Sequence, residues 1–157
     1  MPRARHKPTI VLSILGVAAP VGILIAAASS QDLQKARHDH YHELGDAFKT
    51  VRDQTRAGSP NLTKIKAAAQ IINEASIDQG RWFPAGTGPE AGKTRALPVI
   101  WQKPEDFKAA QRVFSEAAPK LLSAANAGDL DAVKSTYGDL GKACKNCHDT
   151  FRGPEEH

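Results

Sequence analysis

The chain has 157 residues, with 21 Lys and Arg against 17 Asp and Glu, for a net charge of +4. Three of the basic residues and none of the acidic ones lie within residues 1–28, which leaves about +1 for the remainder. This near balance excludes an electrostatic nucleic-acid binder, and residues 29–157 have the length of one small domain.

The N-terminal segment predicts export from the cytoplasm. It opens with three basic residues, Arg3, Arg5 and Lys7. About twenty uncharged residues follow, and residues 26–28 are alanines that suit signal-peptide cleavage before Ser29. The apolar stretch is also long enough to span a bilayer. We therefore predict that residues 1–28 are a signal peptide or N-terminal membrane anchor, with cleavage favoured because Pro20 interrupts the stretch.

Four later segments have the apolar spacing of amphipathic helices. Their stripes cover residues 33–55, 62–75, 107–125 and 130–151. Asn61 and Asp129 are predicted N-caps of the second and fourth helices, and Pro104 is predicted in the first turn of the third. Pro119 is expected to kink that third helix. Because the first and third connections are short, the pattern predicts an all-α protein, an antiparallel four-helix bundle.

The connection between the second and third helices is long and rich in glycine and proline. It covers residues 80–104 and contains both tryptophans, Trp82 and Trp101. A loop of this size inside a compact domain is usually functional or packed on something. Its aromatic residues predict packing over the core or over the edge of a cofactor.

The last helix carries a C-x-x-C-H motif, formed by Cys144, Cys147 and His148. This spacing is typical of c-type haem attachment, in which two thiols bond the haem vinyl groups and the histidine binds iron. A thioredoxin-like dithiol requires a preceding strand. A zinc site at Cys144, Cys147 and His148 requires a fourth ligand, normally from a second cysteine or histidine pair, and the remaining histidines are not predicted to form such a pair for this site. A disulfide within the motif is strained. Haem is favoured, with an exported dithiol or metal-binding helical protein as the alternative.

A sixth iron ligand has few candidates. The only methionine, Met1, lies in the targeting segment, so a methionine-ligated iron is excluded from the mature domain. On the first helix, Tyr41 lies on the core stripe, whereas His38 and His42 lie off it and are predicted to be exposed. His40 lies beside the stripe and is the alternative sixth ligand. If it binds iron, the protein is a six-coordinate, low-spin electron carrier. Iron left five-coordinate under Tyr41 binds small diatomic gases such as NO or CO.

Two arginines are candidates for contact with the haem. Arg37 lies on the buried stripe, where an unpaired guanidinium is costly, so it predicts a nearby anion such as a haem propionate. Alternatively, Arg37 lies at the edge of the buried stripe and extends its guanidinium into solvent. Arg152 follows His148 by four residues and is expected near the proximal side of the ring on a continued helix, or facing water. No nucleophile–base or carboxylate pair converges here, so the sequence does not predict an enzyme.

Residues 32–152 resemble the cytochrome c′ family, the four-helix-bundle class of c-type cytochromes. Three stretches carry the resemblance: Arg37, Tyr41 and Phe48 on the first helix, the run W-F-P-A-G-T-G from Trp82, and the run G-K-A-C-K-N-C-H-D from Gly141. Together they are far more specific than C-x-x-C-H alone.

The resemblance implies a role for each site residue. Cys144 and Cys147 become the thioether links to one haem c, and His148 becomes the proximal ligand of its iron. Tyr41 becomes the lid over five-coordinate, high-spin iron. Arg37 corresponds to the family's propionate-side arginine, and Arg152 to its arginine near the proximal histidine.

The resemblance also implies partners and a location. It implies a periplasmic protein, a homodimer through the first two helices, and binding of NO and CO. The physiological role is then electron transfer with a periplasmic redox partner, NO handling, or both. Any membrane contact is through residues 1–28, if these are retained.

Overall fold

The computed structural model describes residue 1 and residues 28–154, and this part of the chain is built from helices. The helices are α1 (Ser30–Arg56), α2 (Leu62–Asp78), the short α3 (Val99–Gln102), α4 (Pro104–Ala127) and α5 (Leu130–Phe151). α1 packs mainly on α2, α2 on α4, and α4 on α5. The four long helices confirm the predicted four-helix bundle.

The predicted helix starts are confirmed by their hydrogen bonds. The Asn61 side chain accepts a hydrogen bond from the backbone N–H of Lys64 at 3.0 Å. Asp129 accepts from two backbone N–H groups of α5, and Pro104 occupies the first turn of α4. Each cap occupies N–H groups that have no partner inside their own helix. α1 begins with a reciprocal cap between Ser29 and Asp32, and its capping residue directly follows the predicted cleavage site.

α4 continues through Pro119 to Ala127, and the expected kink at this proline stays a prediction. One expectation about helix geometry needs correction. The fourth helix does not continue to Arg152. It ends at Phe151, and Arg152 is extended (φ −119°, ψ 124°), where it forms an isolated antiparallel bridge with Ala96. The helix therefore ends one residue earlier than expected, and Arg152 contacts the long connection at this point.

The interior divides into two hydrophobic clusters. The main core is mostly aliphatic and lies between the long helices; its largest fully buried side chains are those of Val51, Ile65, Ile72, Leu121, Val133 and Leu140. The aromatic cluster has Ile100, Phe107 and Phe151 at its centre, with Phe83, Ala96, Val99, Trp101, Ala110 and Cys147 packed against them. The long connection contributes to the second cluster, as predicted from its aromatic residues.

The predicted targeting segment falls mostly outside the described residues, because residues 2–27 are not among them. Among residue 1 and residues 28–154, no helix is long and apolar enough to cross a membrane. Removal or retention of residues 1–28 therefore stays a prediction.

Candidate functional site

The two cysteines lie one helical turn apart on α5, where the two clusters meet. Both thiols are free and half-buried; Cys144 packs against the main core and Cys147 against the aromatic cluster. Burial raises the pKa of Cys144 to about 11 and also raises the pKa of Cys147. Because the thiolate is the reactive form in disulfide exchange, these raised pKa values disfavour a catalytic dithiol.

His148 follows the second cysteine in the last turn of α5, and its ring is exposed. The surrounding protein still removes enough water to lower the pKa of His148, and Arg152 and Arg95 lower this pKa further. All three effects favour the neutral imidazole, which is the form that binds a metal. Arg152 is thus placed near His148 even though it lies outside α5.

Tyr41 projects from α1 into the aromatic side chains of the long connection. Its ring meets Trp82 edge-on with 5.0 Å between centroids, and Phe83 with 6.0 Å. Burial raises the pKa of Tyr41, and the Cys147 thiol raises it further. The phenol therefore stays protonated, near enough to the α5 motif for the thiol to influence its ionisation.

Arg37 lies one turn before Tyr41 on α1, and its side chain is buried with 4% exposure. Its guanidinium donates to Thr87 Oγ1 at 2.9 Å, the Thr87 carbonyl at 2.8 Å, the Trp82 carbonyl at 3.3 Å and Thr94 Oγ1 at 3.2 Å. It also lies over the Phe83 ring, 4.9 Å from the centroid. Neutral oxygens of the long connection therefore accept the hydrogen bonds of Arg37, where the sequence predicted an anion. These hydrogen bonds attach the connection to α1.

Two further polar residues help to attach the long connection to α1, and neither was predicted from the sequence. Thr87 is fully buried, and its hydroxyl donates to the Pro84 carbonyl at 2.8 Å. The buried Gln34 donates from Nε2 to the Thr87 carbonyl at 3.2 Å and the Gly88 carbonyl at 2.6 Å. The helical spacing of Gln34 from Arg37 is a signal that could have placed it on the same face. No sequence pattern indicates that Gln34 contacts Thr87 and Gly88, because these partners lie more than fifty residues away.

The C-terminal end of α5 is also joined to the long connection. Leu97 N–H donates to the Phe151 carbonyl at 3.0 Å, and Gly153 N–H donates to the Arg95 carbonyl at 2.8 Å. The Arg95 side chain returns a hydrogen bond from Nε to the Gly153 carbonyl at 3.0 Å. These bonds place Arg95 and Arg152 beside the last turn of α5, which contains His148. The position of Arg95 was not predicted from sequence spacing.

The three histidines of α1 are all exposed, as predicted for His38 and His42. His40 stacks on Trp82 with 4.8 Å between ring centroids and lines a groove of about 380 Å³ between α1 and α2. Tyr41 instead lies where the Cys147 thiol affects its pKa. Of the two candidates for the iron's far side, Tyr41 is therefore the one placed toward the C-x-x-C-H motif.

The residues present fit a covalently held haem better than a protein-held metal ion. A groove of about 260 Å³ between α4 and α5 borders Cys147 and is lined by Ala110, Val113, Ala143 and Phe151 among others. Aromatic and aliphatic side chains beside both thiols suit a flat, largely apolar ring. Residue 1 and residues 28–154 contain no group of three His, Cys, Asp or Glu side chains that could hold a metal ion, so a zinc site lacks its ligands in this part of the chain.

Comparisons with known proteins agree on one family. The family model described as Cytochrome C′ matches residues 32–152. A cytochrome c′ from Alcaligenes xylosoxydans xylosoxydans is 32% identical over 126 residues, which cover 80% of this chain and 96% of that protein.

Two solved structures show the same fold. One is a cytochrome c′ described as having an unusual ligand-controlled dimer dissociation; it is 30% identical with a TM-score of 0.76 and covers 82% of this chain and 100% of its own. The other is a nitric oxide complex of a variant cytochrome c prime from Alcaligenes xylosoxidans. It is 30% identical with a TM-score of 0.74 and covers 83% of this chain and 100% of its own.

Proposed function

Because the chain belongs to the cytochrome c′ family, we propose that it is a periplasmic monohaem cytochrome with five-coordinate, high-spin iron. Proteins of this family carry one covalently attached haem c, whose iron changes oxidation state and binds diatomic gases. We assign this chain electron transfer, binding of NO and CO, or both. Residues 29–157 form the haem domain, and residues 1–28 direct its export.

The attachment residues of this proposal are Cys144 and Cys147, with His148 as the proximal ligand. The thiols lie on one face of α5 between an aliphatic and an aromatic surface. Burial, with Arg152 and Arg95, lowers the pKa of His148 and so favours the neutral imidazole that binds iron. Covalent links hold the cofactor without full enclosure, which suits a domain of this size.

The placement of Tyr41 carries the assignment of five-coordinate iron. The raised pKa keeps its phenol protonated, and a neutral phenol binds iron poorly in comparison with the phenolate that serves as an iron ligand elsewhere. Tyr41 therefore covers the far side without filling it. The packing of its ring against Trp82 and Phe83 limits which molecules reach that side.

The two arginines act at opposite edges of the site in this proposal. Arg37 holds the long connection in place through its hydrogen bonds to neutral oxygens, and we assign its positive charge a longer-range attraction to the propionates. Arg152, placed beside the His148 turn by its bridge to Ala96, restrains the proximal side and adds positive charge there. Positive charge near the iron favours the reduced state.

The proposed binding partners are inferred from what the similar solved structures are described as binding or forming. Gas binding by this chain is supported by the nitric oxide complex of a relative, and CO is a neutral diatomic of the same class. A homodimer is supported by the relative described as having an unusual ligand-controlled dimer dissociation, and we assign its interface to α1 and α2. The redox partner is a periplasmic protein.

The experiment that tests the iron's coordination is an optical spectrum of the holoprotein in its ferric, ferrous and ferrous-plus-CO states. High-spin bands that shift on addition of CO are expected. Sharp low-spin bands that do not respond to CO would overturn the assignment and point to His40. The variants Tyr41→Ala and His40→Ala separate these outcomes, since the first should speed CO binding and the second should leave its rate unchanged.

A further inference from the structure

We propose that His38 and His42 form a second, surface site for a divalent transition-metal ion such as copper(II). The two residues are four positions apart on α1, so their side chains lie on the same face of the helix. Histidines at this spacing on a helix are a recurrent ligand pair for transition metals. Neither residue has a role in the proposed haem site, and both rings are exposed.

The observed ring positions suit two ligands of one ion. The imidazole centroids of His38 and His42 are 6.0 Å apart, with 52° between ring planes. With metal–nitrogen bonds of about 2.0–2.1 Å, two imidazoles on one ion span roughly this centroid distance. Because both side chains are exposed, small rotations can improve the angle at the metal without disturbing the core.

Asp46 supports the site from the next turn of α1. Its Oδ2 lies 3.5 Å from Nδ1 of His42, and both side chains are largely exposed, at 72% and 70%. A small rotation of either exposed side chain would let this carboxylate accept a hydrogen bond from Nδ1–H, and such a bond fixes the tautomer in which Nε2 is free to bind a metal. A histidine held in this way by a carboxylate is the usual arrangement around protein-bound metals.

The neighbouring charges leave room for a cation. Lys35 and Lys49 flank the pair along the helix, but their ammonium groups are drawn to Asp39 at 2.5 Å and Asp53 at 2.6 Å. Gly45 lies on the same face, and a Cβ at this position would meet no atom within 4 Å. The space around the two imidazoles is therefore open for the water molecules that complete the ion's coordination.

The ligand set defines the class of ion. Two neutral imidazoles suit copper, nickel and zinc rather than magnesium or calcium, and sites of this type bind copper(II) most tightly among the divalent first-row ions. In the described residues no third His, Cys, Asp or Glu joins the pair as a ligand group. We therefore expect one exchangeable ion with copper(II) preferred over zinc.

Calorimetric titration of the untagged, ferric holoprotein with copper(II) chloride tests the site, with zinc chloride as the comparison. One ion per chain is expected. His38→Gln or His42→Gln should weaken copper binding by roughly 100-fold, because the second ligand otherwise acts at a high effective concentration. Asp46→Asn should weaken it by about tenfold, the lower end of the effect of losing such a carboxylate.

His40→Gln is the matched control, since it removes a neighbouring α1 histidine that stacks on Trp82. It should leave copper binding unchanged. Equal binding by the wild type and both ligand variants would overturn the proposal, as would absence of one-to-one binding in the wild type. Unchanged haem spectra in every variant would show that the variants are folded, and this readout separates failure of the metal site from failure of the proposed haem function.

Discussion

The main core and the end of the bundle with the C-x-x-C-H motif are stabilised in different ways. We call the second region, which consists of the aromatic cluster with Arg37 and Gln34, the haem end, because we propose that it holds the haem. The main core is made mostly of aliphatic side chains from the long helices, several of them fully buried. The haem end joins residues from the long connection, α3, α4 and α5, and depends on directional hydrogen bonds from Arg37 and Gln34. The comparison shows that burial of apolar surface holds the helices together, whereas polar contacts set the shape of the functional end.

The largest expected effect lies in the main core. Leu121 is fully buried and the adjacent Leu122 only partly so. Leu121→Ala should therefore lower the free energy of unfolding by about 2–5 kcal/mol, through lost burial and the cavity that remains. Leu122→Ala is the control and should cost clearly less. Urea denaturation measures both, and equal losses would contradict the assignment of Leu121 to the centre of the core.

The next largest effect tests the polar attachment of the long connection. Arg37→Met removes the donors to Thr87, Trp82 and Thr94 while keeping an unbranched side chain about as long as the aliphatic stem of arginine. It should lower the free energy of unfolding of the holoprotein by about 2–3 kcal/mol, the range for hydrogen bonds to a charged group. The connection should also become more sensitive to proteolysis.

Lys35→Met provides the comparison for Arg37, because it removes a cation from an exposed pair on the same helix. Its effect should be within about 0.5 kcal/mol of zero. If the two variants unfold at the same urea concentration, the guanidinium does not hold the connection in place.

A smaller effect is expected from the buried hydroxyl that Arg37 contacts. Thr87→Val keeps the shape of the side chain but removes the acceptor for Arg37 and the donor to Pro84. The buried Arg37 guanidinium loses one acceptor, and the carbonyl of the exposed Pro84 loses one of its two donors. The free energy of unfolding should therefore fall by about 1–3 kcal/mol, and by less than in Arg37→Met. Thr87→Ser keeps the hydroxyl, so its free energy of unfolding should be close to that of the wild type in the same denaturation assay.

The smallest effect belongs to a local cap of the helical framework. Asp129→Ala removes the acceptor for two N–H groups at the start of α5 and should cost about 1 kcal/mol. Asp129→Asn retains an acceptor and should cost a few tenths. The haem spectrum should be unchanged in both. A spectral change would mean that the start of α5 is coupled to the haem end.

The features that the sequence predicted correctly are those with local causes. Asn61, Pro104 and Asp129 mark helix starts because capping depends on residues one turn apart. The apolar stripes predicted the bundle because helical periodicity places them on one face. The extended conformation of Arg152 was missed because its bridge to Ala96 depends on a segment more than fifty residues away.

For this protein, the sequence alone determined the four helices, their caps and the C-x-x-C-H motif, since each follows from spacing within one or a few helical turns. Only the tertiary structure decided what Arg37 binds, where Arg95 lies and which α1 side chain faces the motif. Tyr41 and His40 are neighbours in sequence, yet one lies near the Cys147 thiol and the other in the groove between α1 and α2. Adjacent helical residues point about 100° apart, and only the packing of the long connection against α1 selects which one covers the site.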